Sequence, residues 1–530
     1  MPHAKPGLRF AILLLALVAP VHAAPPADLD ERVREVIAAH GVPGMAVAIV
    51  EDGKVVHAKG YGVRRLGGTE PVGPDTIFPT GSTGKAVTAA ALAVLVDEGR
   101  IGWDDRVIDH MPDFRMFDPW VTREMTIRDL LVHRSGLGLG AGDLLFVPRT
   151  SRSRADVVHA LRHLRPATSF RSGYAYDNVL YVVAGQLIEA VTGQSWEVFV
   201  RDRLFRPAGM LASTTEESAR FATEDRVQPH ARVDGAFRGL GPLSMLDERK
   251  GLGSVAAPAG GVSSSANDFG RWLQVQLALG GLPDGEGRLY SETVAREMWA
   301  PQQLVPIRPM PGELAATTPQ FSAYSLGWQV QDYRGVRTVQ HAGAVFGVQT
   351  MVVLVPDRGL GFSLQINSED GLVLRGLMFE LLDHYLDAPD RKDWVAIHAD
   401  FVRKRGEAAV AMLASPAGKP RTAGRPSLAL PAYAGRYADA WYGPITVRHD
   451  GRRLRMDFTM TPDMVGTMTP WRHDTFRVDW DDATLEPAFA TFALDAEGKV
   501  ARISMKPVSP LADFSYDYAD LDIRPLAAGD

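Results

Sequence analysis

The sequence predicts an α+β fold in which an antiparallel sheet carries a large helical insertion, followed by a small C-terminal all-β, barrel-like domain. Three observations carry this reading. A hairpin pattern stands near the start of the chain at 46–61, strand patterns return at 326–366, and the text between them is mainly helical. Beyond about residue 430 hydrophobicity alternates with a period of two.

Taken in order, Lys5 and Arg9 precede the apolar run Phe10 to Val18, and Val21-His22-Ala23 reads as a small-residue processing site. Residues 1–23 are therefore expected to be a signal peptide, with the mature protein periplasmic or secreted. The run falls short of the ~20 residues that span a bilayer, so no stable membrane anchor is expected after cleavage. A helix is predicted over Leu29 to His40, with Val33, Val36 and Ile37 on one face and Gly41 as its stop. Strands at Ala46 to Glu51 and Val55 to Tyr61 flank Asp52-Gly53, a strong hairpin signal.

Helices are then expected at Ala86 to Glu98, Thr126 to His133, Ala155 to Leu164 and Asn178 to Val191, with Thr126 and Asp129 forming a capping box. The segment Gly251 to Gly261 reads as a mobile loop. Strands follow at Leu326 to Tyr333, Arg337 to His341, Gln349 to Val355 and Gly361 to Ile366, and a helix through Leu374, Leu377, Met378, Leu381 and Tyr385 closes the unit. A sheet assembled from both ends of one segment implies a domain over 24–388. Residues 389–430 read as a helix and linker, and 431–530 as a C-terminal antiparallel β domain. Each unit has its own hydrophobic pattern, so the two are expected to fold independently. The aromatic residues Trp441, Tyr442, Trp471 and Trp480 are expected in the core of the second.

Composition narrows the chemistry. The 530 residues hold 57 Lys+Arg against 63 Asp+Glu, a formal charge of −6, which points away from nucleic acid as a partner. The chain has no cysteine, so disulfides, thiolate metal sites and a cysteine nucleophile are excluded. His159 and His163 share a helix face, but Arg162 and Arg165 surround them and no acidic residue lies between them, so a solvated basic face is expected and no metal.

Three short motifs remain. Ser82-Thr83-Gly84-Lys85 (SxxK) opens an apolar helix, so that a lysine one turn on can reach the serine hydroxyl. Burial and the positive end of the helix dipole lower that lysine's proton affinity. Tyr176-Asp177-Asn178 (YxN) begins a later helix; the phenol can serve as phenolate-like base or proton relay, and the amide can donate to a substrate carbonyl. His341-Ala342-Gly343 (HxG) ends a strand, where Gly343 lets another backbone approach. Each is weak alone.

In this order, SxxK, YxN and HxG resemble the serine β-lactamase and penicillin-recognising hydrolase superfamily, in particular its branch of class C β-lactamases, D-aminopeptidases and serine esterases. The stretches FPTGSTGK, TIRDLLVHRSGL, YAYDNVLYVVAGQLIEAVTG, GGVSSSANDFGRWL and YSLGWQV read like that branch, and the resemblance covers about residues 29 to 388. It implies a β-lactamase/transpeptidase-like fold and an acyl-enzyme mechanism without a cofactor. Ser82 would be the nucleophile, with Lys85 and Tyr176 moving the proton. Asn178, His341, Gly343 and Ala344 would bind substrate, the N–H groups of Ser82 and Ala344 forming the oxyanion hole. The C-terminal unit, with YAGRYADAWYGPITV and DFSYDY, resembles a poorly characterised domain often appended to such hydrolases, with no known chemistry.

One departure matters. Members that act on β-lactams usually carry KTG where this chain has His341-Ala342-Gly343, and a mostly neutral imidazole supplies no fixed charge for a substrate carboxylate. The expected function is an exported serine hydrolase of amide, peptide or ester bonds in a small molecule or peptide. Linear peptides released from cyclic ones are one candidate substrate. A β-lactamase or DD-peptidase is the alternative, and a non-catalytic penicillin-binding or sensor protein a second; oligomeric state is left open.

Overall fold

The computed structural model describes residues 24–415 and 425–527. The expected signal segment, 1–23, and most of the expected linker lie outside the described residues. Two eight-stranded antiparallel sheets organise the chain. In the first, β1 (Gly44–Glu51) and β2 (Lys54–Gly62) come from the start of the chain. β3 (Gln303–Leu304), β4 (Ser322–Tyr324), β5 (Gln329–Tyr333), β6 (Val336–Val345), β7 (Val348–Val355) and β8 (Leu360–Ile366) come from its later part. The two ends meet where β1 pairs with β8, Met45 opposite Ile366 and Val47 opposite Leu364. Asp52 and Gly53 both take positive φ, 46° and 75°, the geometry of a tight primed turn between β1 and β2.

β1 is apolar along its length because both faces are covered. Met45, Val47 and Ile49 pack with α1 (Leu29–His40) and the closing helix Gly371–Tyr385, whereas Ala46, Ala48 and Val50 join the core of the helical insertion. The central helix α2 (Lys85–Asp97) is buried from Lys85 to Leu95. Its sequence, KAVTAAALAVLVD, has no polar face, and its alanines let the neighbouring helix α3 (Val179–Thr192) approach closely.

Two expectations inside the insertion are corrected. The helix expected over Thr126 to His133 is a single 3₁₀ turn, Arg128–Leu130. The capping interactions form, with Thr126 N and Oγ1 donating to Asp129 Oδ2, but the same carboxylate also accepts from Arg134 and Arg171, and His133 takes φ 59°. Asp129 thus serves a buried ion-pair cluster, and the chain turns away. The segment expected to be a mobile loop at 251–261 instead forms a 3₁₀ turn, Ser254–Ala256, and a short buried helix, Ala257–Gly260. Pro258 fits against Gly185 of α3, where a Cβ would come within 2.2 Å of the proline ring.

The second sheet is a meander of seven strands from Gly435–Asp439 to Val500–Pro507, with Arg524–Pro525 paired to the first of them. A bridge between Ile503 and Ile523 brings its two ends together, so the sheet is a nearly closed barrel. Trp441, Tyr442 and Trp480 are buried inside, but Trp471, expected in the core, is only half-buried at the barrel surface, its ring tilted against that of Phe489 with centroids 5.0 Å apart. The helix Trp394–Ala414 precedes the barrel. The two units meet across an apolar interface: a single hydrophobic cluster runs from the insertion into the barrel. Polar contacts line the joint, including Lys250 with Asp482 at 2.7 Å and Arg238 donating to the Thr484 carbonyl at 2.6 Å.

Candidate active site

Ser82 lies in a 3₁₀ turn, Gly81–Gly84, that runs straight into α2 and puts Lys85 one turn further on. Lys85 is fully buried, and its Nζ has three oxygen neighbours: Ser82 Oγ at 3.1 Å, Asn178 Oδ1 at 2.6 Å and the Ala259 carbonyl at 2.9 Å. Burial pushes its pKa down to about 7, with Asp143 and Asp177 pulling the other way. The Asn178 and Ala259 oxygens can only accept, so each takes one N–H. The remaining position, toward Ser82, is a third N–H in the ammonium and a lone pair in the neutral amine. The neutral amine is therefore aimed at the serine hydroxyl.

Tyr176 lies beside Ser82, whose side chain favours its ionised form, and its ring lies 4.8 Å from Lys85 Nζ. Burial raises its pKa well above the ordinary phenol value. A neutral phenol that relays a proton fits this setting; a resting phenolate does not.

The HxG strand β6 runs beside the serine turn. A Cβ on Gly343 would sit 2.0 Å from the Thr80 carbonyl oxygen and 3.1 Å from Ser82 N, and one on Gly81, at φ 55°, would meet Ala344 N at 2.6 Å. Both glycines are thus required for the backbones of 80–82 and 343–344 to lie in contact, which sets the Ser82 and Ala344 nitrogens on adjoining stretches of backbone. Thr350 on β7 ties the turn to the sheet by donating to the Thr80 carbonyl at 2.7 Å.

Two of the candidates already have partners within the protein. Asn178 spends its amide internally: Oδ1 accepts from Lys85 and Nδ2 donates to Asp143 Oδ2 at 2.8 Å. His341 is buried, with Nε2 2.7 Å from the Tyr324 hydroxyl and Nδ1 2.6 Å from the Ala342 carbonyl. That carbonyl only accepts, so Nδ1 carries the proton and Nε2 accepts from Tyr324. Burial and the nearby Lys85 push the imidazole down to about 3, so it is neutral at physiological pH.

Sequence reasoning missed three neighbours. Tyr324 opens the stretch YSLGWQV, where only its place in that stretch hinted at a role. His133, buried, lies with its ring 4.3 Å from those of both Tyr176 and Tyr324. Asp143 sits in a Gly-rich loop that carries no motif and is fully buried beside Asn178. Burial raises its carboxyl to about 7, against the hydrogen bonds of Asn178 and Ser515. His159 and His163 lie outside the site, both exposed.

Residues 29–386 match the family model Beta-lactamase, and 419–525 match a domain of unknown function, DUF3471. The unguisins hydrolase ungD' of Aspergillus campestris is 31% identical over 441 residues, which cover 80% of this chain and 78% of the relative. Penicillin-binding protein 4 of Amycolatopsis lactamdurans is 33% identical over 348 residues, 64% of this chain and 85% of the relative. Among solved structures, the octameric penicillin-binding protein homologue from Pyrococcus abyssi shares the fold with a TM-score of 0.58 at 19% identity, covering 94% of this chain and 99% of that one. The chain belongs to the Beta-lactamase family and is a hydrolase of that fold.

Proposed function

We propose that this protein is an exported serine hydrolase that cleaves amide, peptide or ester bonds through an acyl-enzyme on Ser82. The observation that carries the reading is the buried Lys85, whose amine has one open direction and points it at Ser82 Oγ from 3.1 Å. Ser82 Oγ attacks the substrate carbonyl carbon while its proton passes to neutral Lys85. The carbonyl oxygen gathers charge at the Ser82 and Ala344 N–H groups. As the tetrahedral species collapses, the bond to the leaving group breaks, and the proton held by Lys85 reaches that group through the Tyr176 hydroxyl. Water then attacks the ester carbon, gives its proton back through the same pair, and releases an acid and free Ser82.

Substrate preference follows from charge. A carboxylate bound near His341 would meet a neutral imidazole whose two nitrogens are already engaged. Leaving a buried charge without a partner costs several kcal/mol, which disfavours β-lactams and favours substrates uncharged at this position. The similarity to a hydrolase named for unguisins makes unguisins one substrate to test. Export rests on Lys5, Arg9 and the apolar run that follows them.

The test is a hydrolysis screen of the purified protein over short nitrophenyl esters, D- and L-amino-acid amides, linear peptides and nitrocefin. For the wild type, kcat/KM on a short ester or an amide is expected to exceed that on nitrocefin by at least about 10², the factor that ~2.8 kcal/mol of lost charge pairing gives. Efficient nitrocefin turnover would instead favour the β-lactamase alternative.

A further inference from the structure

The barrel's last loop, DFSYDY in the sequence, reaches into the active site. Ser515 Oγ donates to Asp143 Oδ2 at 2.8 Å, the same oxygen that accepts from Asn178 Nδ2. Two residues on, the Asp517 carboxylate accepts from Gly142 N at 2.7 Å and Leu144 N at 3.1 Å, gripping the loop on either side of Asp143. Phe514 meets the Tyr176 ring edge-on at 5.8 Å and packs so tightly on Gly140 that a Cβ there would lie 2.6 Å from the Phe514 carbonyl oxygen. Ser515, Asp517 and Asp143 are all buried.

We propose that the C-terminal domain completes the active site: Ser515 and Asp517 are positioning residues that hold Asp143 against Asn178 and, through Asn178, fix the Lys85 amine on Ser82. This rests on the serine reading above. An asparagine amide can turn either way, and its two ends differ only in donor and acceptor. A carboxylate accepts, so Asp143 takes the NH₂ and leaves the carbonyl facing Lys85. With Asp143 displaced, the amide loses that instruction and Lys85 loses its shortest hydrogen bond.

A pH signature separates positioning from simple docking. Asp143 faces Lys85, Asn178, Ser515, Asp513 and Asp517; Lys85 faces Asp143, Asp177, Tyr176, Tyr181, His133, His341 and the Ala259 carbonyl. The Ser515 hydroxyl favours the ionised form of Asp143, and ionised Asp143 favours the ammonium of Lys85. Removing the hydroxyl therefore neutralises Asp143 more readily, and Lys85 gives up its proton at lower pH.

The experiment uses the full chain, a short nitrophenyl ester, and the variants Ser515→Ala, Ser515→Thr, Asp517→Asn and Ser82→Ala, with kcat, KM, the pH profile of kcat/KM and Tm measured for each. Ser515→Ala is expected to lower kcat about tenfold or more, to leave KM within about twofold, and to move the acid limb of kcat/KM to lower pH; about 1.4 kcal/mol per decade equates this with one hydrogen bond to a charged group. Ser515→Thr, which keeps the hydroxyl, is expected to recover most of kcat. Asp517→Asn, which keeps one acceptor for the two amides, is expected to fall between. An inactive Ser82→Ala beside a Ser515→Ala with wild-type kcat and pH profile overturns this proposal alone, as does a fall in Tm with both unchanged. A fully active Ser82→Ala overturns the serine reading and this proposal with it.

Discussion

At the scale of single residues, the arrangement around Lys85 decides how the site works. Ser82→Ala is expected to abolish turnover with little change in Tm, and Lys85→Ala to lower kcat by at least about 10³. Because the two act as one unit, the double variant should be scarcely worse than either alone, which steady-state kinetics on one ester would check. With neutral Lys85 proposed as the proton acceptor and its pKa at about 7, kcat/KM is expected to fall as pH drops through neutrality and level off above it. Tyr176→Phe is expected to cost about 10² or more, the usual worth of a positioned proton carrier, without moving that limb far. The sequence made Ser82, Lys85 and Tyr176 legible because their chemistry is written in short spacings. Asp143, His133 and Tyr324 were not, since each matters through a neighbour that only the fold supplies. His341 was legible as a position, but its partner Tyr324, seventeen residues earlier, was not, and with both nitrogens engaged it is spoken for before substrate arrives.

At the scale of elements, the close contact between the serine turn and β6 is a matter of missing side chains. Gly343→Ala would drive a methyl group into the Thr80 carbonyl oxygen and to within 2.5 Å of Thr350 Oγ1, so either the strand or the turn must retreat. The expected outcome is a loss of about 10² to 10³ in kcat, as for removal of an oxyanion donor, together with a lower Tm; a variant of wild-type kcat would show that the strand does not shape the oxyanion site. The hairpin at Asp52-Gly53, the later strands and α2 were legible because turn chemistry and hydrophobic period agree there. The helix expected from Thr126 failed because Asp129 also answers to Arg134, just past its expected end, and to Arg171, 42 residues on. The glycine-rich run at 251–261 looked like a loop because small residues mark loops and tight packing alike; here they let Ala259 come within reach of Lys85.

At the scale of the whole molecule, the alternation after residue 430 made a second β unit legible, but nothing in it announced that the unit would press into the first. Interfaces of this kind are read from which side chains meet, and the loop residues of DFSYDY find their partners some 370 residues away in sequence. The shared hydrophobic cluster implies that a chain ending at Ala414 exposes apolar surface that the barrel otherwise covers. Such a truncation is expected to have a lower Tm and to lose most of its activity on small esters as well as on peptides. Full activity on small esters would show that the barrel governs access alone.

The central claim, that Ser82 is acylated with Lys85 as its base, is tested most directly by mass mapping of the protein after reaction with a fluorophosphonate. One adduct per chain is expected, on the peptide that contains Ser82, absent from Ser82→Ala and formed far more slowly by Lys85→Ala. An adduct on another residue, or undiminished labelling of Ser82→Ala, would contradict it.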